Sequence, residues 1–154
     1  MGIGRSAIKT LATSVLLGTA SGYLSQAGAA TVLTLTPTRE LPHRLRSPWV
    51  QRLSLVSAGG EMVANAHFSF LPRRTTLQPL SDRIVFGAGS AALLAMTQGQ
   101  KAVLPAVIGG VSAAIASKAA TDSRAVIARY VPDPLVGWAE NAVAVGLAVA
   151  ATRK

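Results

Sequence analysis

The sequence predicts an all-α fold, an integral membrane bundle of four to five hydrophobic helices in one domain covering residues 1–154. Three observations predict it. Half of the residues are hydrophobic and only 14% are charged, against about a quarter in a soluble domain. The apolar fraction is mostly Ala, Val, Leu and Gly, and aromatic residues make up 5%; a water-soluble core of this size leans on larger side chains. In lipid the hydrophobic effect does not press helices together, so close approach through small residues does the packing. Finally, the Lys and Arg residues lie between the apolar runs, where loops meet lipid headgroups.

The first apolar stretch, residues 7–35, has no acidic residue and exceeds the roughly 20 residues a span needs. Gly18, Gly22 and Gly28 interrupt it, with Ser25 and Gln26 between them. It reads as a long tilted helix or as one with a break. Gly18-Thr19-Ala20-Ser21-Gly22 is a GxxxG segment that lets a second helix approach closely. Ala27-Gly28-Ala29 has the look of a signal-peptidase site; we expect a retained membrane segment instead. Met1-Gly2-Ile3-Gly4-Arg5-Ser6 fits the loose myristoylation pattern, which is common by chance.

A basic loop follows. Prolines 37, 42 and 48 interrupt any helix there, and Trp49 stands where an indole sits between headgroups and lipid tails. The second stretch, residues 53–71, contains Glu61, Asn65 and His67, which are expensive against lipid. Either it spans with those groups facing protein or it lies partly in the interface. Pro72, Arg73 and Arg74 stop it, and a loop runs on to Asp82.

Residues 84–98 and 102–121 read as a helical hairpin turning at Gly99-Gln100-Lys101. Pro105 sits in a first turn, where a missing N–H costs little. Gly109, Ala113 and Ser117 repeat every four residues and share a face. Residues 121–133 read as a polar loop. The fifth stretch, residues 135–151, is closed by Arg153 and Lys154. Membrane orientation does not follow, because the second stretch decides which loops share a side.

The segments Ala58-Gly59-Gly60-Glu61-Met62-Val63-Ala64-Asn65, Asp82-Arg83-Ile84-Val85-Phe86-Gly87-Ala88, and Pro132-Asp133-Pro134 with Ala139-Glu140-Asn141-Ala142-Val143-Ala144-Val145-Gly146 together resemble one family. It is a group of small bacterial membrane proteins, domain of unknown function four-one-two-six. The resemblance runs from about residue 17 to the end of the chain. It implies a multi-helix membrane protein of the bacterial cytoplasmic membrane and no particular activity, cofactor or catalytic residue. It also implies acids where this chain has Asn65 and Asn141. Their absence weakens any proton-relay or cation site.

Few residues can carry chemistry. Without cysteine there is no thiolate catalysis or thiolate metal site. His43 and His67 alone do not make a structural zinc site. No nucleophile elbow and no phosphate-cradling glycine loop occurs, so we expect no catalytic residue, no metal and no cofactor. The net charge of +9 raises nucleic acid as a partner, but the basic residues are not gathered on one helix or module. The expected partners are the lipid bilayer and other membrane helices, in a homo-oligomer or a larger membrane complex, and no nucleic acid.

The candidate intramembrane polar site is Glu61, Asn65, Glu140 and Asn141. Acids inside apolar stretches face protein or water, and each acid has an amide nearby in sequence. They serve either an ion, proton or polar-substrate site, or cross-helix hydrogen bonds. The candidate packing residues are Gly18, Gly22, Gly109, Ala113 and Ser117. A glycine-rich helix, a basic proline loop and a Glu-bearing helix occur twice, at 18–61 and 109–140, a hint of internal duplication that, as an inverted repeat, would resemble small transporters, although the loop lengths differ. The function expected is that of a non-enzymatic structural or accessory subunit. The rival is a small transporter or channel using Glu61 and Glu140.

Overall fold

The structure, a computed structural model, describes residues 3–67 and 77–153. Among the described residues there are six α-helices and no strand: α1 (Ile3–Tyr23), α2 (Ala27–Leu35), α3 (Pro48–His67), α4 (Leu77–Thr97), α5 (Val103–Ile127) and α6 (Asp133–Thr152). Short 3-10 turns at Thr38–Glu40 and His43–Leu45 occupy the proline loop.

The first apolar stretch is two helices. Residues 24–26 break it, and the chain then doubles back. α1 runs parallel to α5: Gly18 faces Gly109 and Ser112, and Gly22 faces Ala113, Ala116 and Ser117. After the break, Gly28 lies against Ser21 and Ser90, level with α1 again. The end of α2 then lines a cleft with Lys9 of α1, Thr97 of α4 and the Gln98 that follows it, and Thr152 of α6 and the Arg153 that follows it. Hence α1 begins, and α2, α4 and α6 finish, at one end of the bundle, the near end. The break at 24–26 is the tip of a hairpin whose two ends lie there.

Three glycines allow the closest packing. A Cβ on Gly18 would collide with the Gly109 carbonyl, one on Gly109 with the Gly87 carbonyl, and one on Gly87 would sit 2.7 Å from the Ala113 Cβ. α1, α4 and α5 therefore touch backbone to backbone. The candidate packing residues Gly18, Gly22, Gly109, Ala113 and Ser117 all belong to this intramolecular contact and are buried. A second core joins α1, α2, α4 and α6 through Leu17, Leu24, Val32, Leu94, Ala144 and Ala148.

Several expected boundaries shift. α4 starts at Leu77, so residues 77–82 are helix and not loop; Pro79 lies in the first turn, where it removes no helical hydrogen bond. α5 continues to Ile127 through the expected loop, because Arg124 is held from the side by α3 and α6, as described below. α6 begins at Asp133, an acid in the first turn that suits the helix dipole. The second stretch is helical from Pro48 to His67; its remainder, residues 68–71, and the stop at Pro72, Arg73 and Arg74 lie outside the described residues. The duplication does not give matching units: α6 runs back along α5, whereas α3 runs in the direction of α1, because α2 intervenes and returns the chain to the near end.

Two described helices, α5 and α6, are long and apolar enough to cross a membrane, where four to five were expected. α1 is rich in Ser and Thr, while α3 and α4 carry Arg52, Glu61, Asn65, Asp82 and Arg83. These side chains dilute an apolar pattern that is otherwise helical.

Candidate functional site

Both interior acids are held by arginines. Glu61 reaches from α3 to the break between α1 and α2. Its Oε1 accepts the Ser25 backbone N–H at 2.8 Å, and its Oε2 accepts the Ser25 hydroxyl at 2.8 Å and the Gln26 N–H at 3.1 Å. These amides stand at the start of α2, where a helix has unsatisfied donors and a partial positive charge.

Arg83 of α4 serves the other side of the break. Its Nε donates to the Gly22 carbonyl at 3.1 Å, in the last turn of α1, and its Nη1 donates to the Pro79 carbonyl at 3.2 Å. Its Nη2 lies 3.8 Å from Glu61 Oε1. The helix end that lacks donors receives a cation, and the helix start that lacks acceptors receives a carboxylate.

Asn65, Glu140 and Asn141 meet in a second cluster around Arg124. The Arg124 guanidinium donates through Nε to Asp133 Oδ1 and through Nη2 to Asp133 Oδ2, both at 2.7 Å. Its Nη1 donates to Glu140 Oε2 and to Asn65 Oδ1, both at 3.1 Å, and its Nη2 to the Asn65 carbonyl at 3.0 Å. One arginine thus ties α5 to α6 and to the last turn of α3. The planar five-donor fork of Arg suits this; a lysine could not make these contacts at once.

The two amides extend the cluster. Asn65 Nδ2 donates to Asn141 Oδ1 at 2.9 Å, and Asn141 Nδ2 donates to the Met62 carbonyl at 2.9 Å. Gly137 permits this approach, since a Cβ there would sit 2.7 Å from the Asn65 carbonyl oxygen. Asn141 is 1% exposed, a depth at which an amide requires partners.

The four candidate polar residues therefore do not form one site. Asn65, Glu140 and Asn141 share the Arg124 cluster, whereas Glu61, one turn from Asn65, turns to the helix break. The spacing on α3 sends them to different neighbours: α2 and α4 for Glu61, α5 and α6 for Asn65. His67 lies exposed at the end of α3, with Nδ1 3.1 Å from the Val63 carbonyl and its ring 6.0 Å from that of Trp138.

Sequence reading placed Arg83 and Arg124 in loops or at a helix opening and missed their roles, along with those of Ser25, Gln26 and Asp133. A signal exists for both arginines. Arg124 follows Ala113, Ser117 and Ala120 at helical spacing, and Arg83 precedes Gly87, Ser90, Ala91 and Leu94 in the same way. Each extends a buried stripe by one turn.

In chemical terms both clusters are ionic hydrogen-bond networks built on one arginine each. Arg83 faces Glu61, and Arg124 faces Asp133 and Glu140. Among the described residues no group of three His, Asp or Glu side chains is placed to hold a metal ion. No family model, curated protein or solved structure matches the chain.

Proposed function

We propose that this chain is a non-enzymatic integral membrane protein, a structural or accessory subunit of the bacterial cytoplasmic membrane that packs with other membrane helices. In this reading α3, α4, α5 and α6 cross the bilayer, and the α1–α2 hairpin enters from the near end and returns to it. The resemblance to the small bacterial membrane family accords with this.

The observation that carries the reading is the size gradient across α5. Its buried face is Gly109, Gly110, Ala113, Ala116, Ser117 and Ala120. Its outer face is Val103, Val107, Val111 and Ile115, between 55% and 77% exposed. A soluble helix has the reverse order. In water, such an outer face forgoes about 25 cal/mol for each Å² of apolar surface left wet; against lipid it costs nothing. Trp49, Leu53, Leu55 and Val56 of α3, and Leu135, Trp138 and Val143 of α6, extend the apolar exterior.

The accessory role is supported by two further features. Each interior acid is paired with an arginine of the same chain. The small-residue face of α1 is used within the chain, so contacts to other helices fall to outer faces such as that of α3. There Gly60 is exposed with nothing within 4 Å of a Cβ, between Val56 and Val63. The test is alkaline carbonate extraction of membranes carrying the full chain. It is expected to stay with the membrane; release as a soluble monomer without detergent refutes the reading.

One observation favours a small transporter as the second reading. Interior helix breaks that expose backbone groups to a charged side chain are where secondary transporters bind substrate, and Glu61 and Arg83 flank such a break.

A further inference from the structure

The fold assigns the loops to ends, which the sequence alone does not. Because α2 turns back, the near end collects the start of α1, the proline loop 36–47, the start of α3, the α4–α5 turn and the end of α6. The Gln100 side chain donates to the Ser6 hydroxyl at 3.4 Å, joining the α4–α5 turn to the start of α1. Lys9, Thr36, Glu40, Gln98 and Arg153 line one cleft between these segments.

The charge is divided unequally between the ends. At the near end Lys9, Arg39, Arg44, Arg46, Arg52, Lys101 and Arg153 are described, and Glu40 is the single acid beside these seven cations. Arg52 also lies 5.7 Å from the Trp49 ring, combining a cation with an indole at the end of an apolar helix. At the far end Arg83 and Arg124 are turned inward onto Glu61, Asp133 and Glu140. Lys118 and Arg129 remain exposed there, with the acids Asp82 and Asp122, the second of which bonds Lys118 at 2.8 Å. The sequence adds Arg73 and Arg74 to the α3–α4 connection, which still leaves the near end ahead.

We infer that the near end is a headgroup-binding surface that faces the cytoplasm and docks on the anionic leaflet of the membrane, so that the described chain begins and ends on that side. The inference rests on the membrane reading above. Cytoplasmic loops carry the excess of Lys and Arg, and the negative surface potential of that leaflet attracts cations close to the membrane. The charge complementarity favours this end: among the described residues the far end exposes Lys118 and Arg129 beside Asp82 and Asp122, whereas the near end has seven cations beside one acid. Arg46 is also fixed for this role: its Nε donates to the Leu41 carbonyl at 2.8 Å and its Nη2 to the Arg39 carbonyl at 3.1 Å, which folds the basic loop back on itself.

The chain has no cysteine, so single-cysteine reporters are clean. Gln98→Cys marks the near end and Tyr130→Cys the far end; both positions are exposed. Each full-length variant is made in a bacterial host and treated with a membrane-impermeant maleimide, in spheroplasts and in inverted membrane vesicles. Near-end labelling confined to inverted vesicles, with far-end labelling confined to spheroplasts, is the expected result. The reverse pattern, or equal labelling of both positions from both sides, overturns the inference. A second set adds Arg39→Gln, Arg44→Gln, Arg52→Gln and Lys101→Gln. Loss of the labelling bias is expected; a bias unchanged by the four neutralisations overturns the assignment of this charge as its cause. Carbonate extraction of the same membranes separates the two levels. Retention with reversed labelling refutes only the orientation, whereas release of the chain refutes the membrane reading and the inference with it.

Discussion

Arg83 and Glu61, 3.8 Å apart, satisfy the two raw ends of a single broken helix. The guanidinium takes the Gly22 carbonyl that α1 leaves behind, and the carboxylate takes the amides with which α2 begins. A chain reversal inside a helical bundle otherwise leaves backbone groups unbonded, which is costly where water is excluded. The salt bridge and the reversal therefore explain each other.

Removing the carboxylate should open this hairpin. Glu61→Leu strands the Ser25 and Gln26 amides and removes the carboxylate beside Arg83, at a cost on the order of 2–3 kcal/mol. Glu61→Gln keeps an acceptor and the side-chain size, and should lose less. Thermal unfolding of the two variants in detergent, followed by circular dichroism, orders them. Equal stability of Glu61→Leu and the parent would show that the clasp contributes nothing.

The glycines divide into two classes with opposite expected effects. Gly18→Ala and Gly22→Ala push a methyl into α5, where the Ala116 Cβ would be 2.5 Å from the Cβ at position 22. Overpacking of this kind costs about 1–3 kcal/mol. Gly146→Ala meets nothing within 4 Å in the middle of α6, and should stabilise by roughly 0.5–1 kcal/mol through helix propensity. The same unfolding assay reads both, and a destabilised Gly146→Ala beside a neutral Gly22→Ala would invert the packing described here. Ala113→Leu, at a position with no exposure, should be worse than either alanine variant.

Arg124 is expected to behave as a charge that is more dangerous to remove alone than with its partner. Arg124→Met leaves Glu140, 7% exposed, facing Asp133 without their shared cation. The double variant Arg124→Met with Glu140→Met removes the buried carboxylate as well and should recover part of the loss. Four unfolding midpoints, parent included, complete the cycle. Strict additivity would mean that the 3.1 Å contact has no energetic weight.

Flux separates the accessory and transporter readings. Purified chain reconstituted in liposomes is expected to move neither protons nor monovalent cations down an imposed gradient, because each interior acid is paired with an arginine of the chain itself. Parental flux that disappears in Glu61→Gln or Glu140→Gln, with folding preserved, would favour the transporter.

The sequence by itself determined the helical class, the apolar runs and the packing residues, because those follow from local spacing. A four-residue repeat of Gly, Ala and Ser makes a face whatever lies opposite it, and Gly18, Gly22, Gly109, Ala113 and Ser117 were legible on that basis. The break at Ser25 and Gln26 was visible as an irregularity. Only the tertiary structure decided that the chain reverses there, that the faces of α1 and α5 meet each other, and that Glu61 and Asn65 part company. Those outcomes depend on how helices distant in sequence are rotated and set in register. A shift of one residue turns a side chain by about 100° around its helix, which is enough to move Glu61 from the α2 amides to some other neighbour. Arg83 and Arg124 escaped notice for the same reason: a cation at the edge of an apolar run reads as a surface residue until the acid that draws it inward is set beside it.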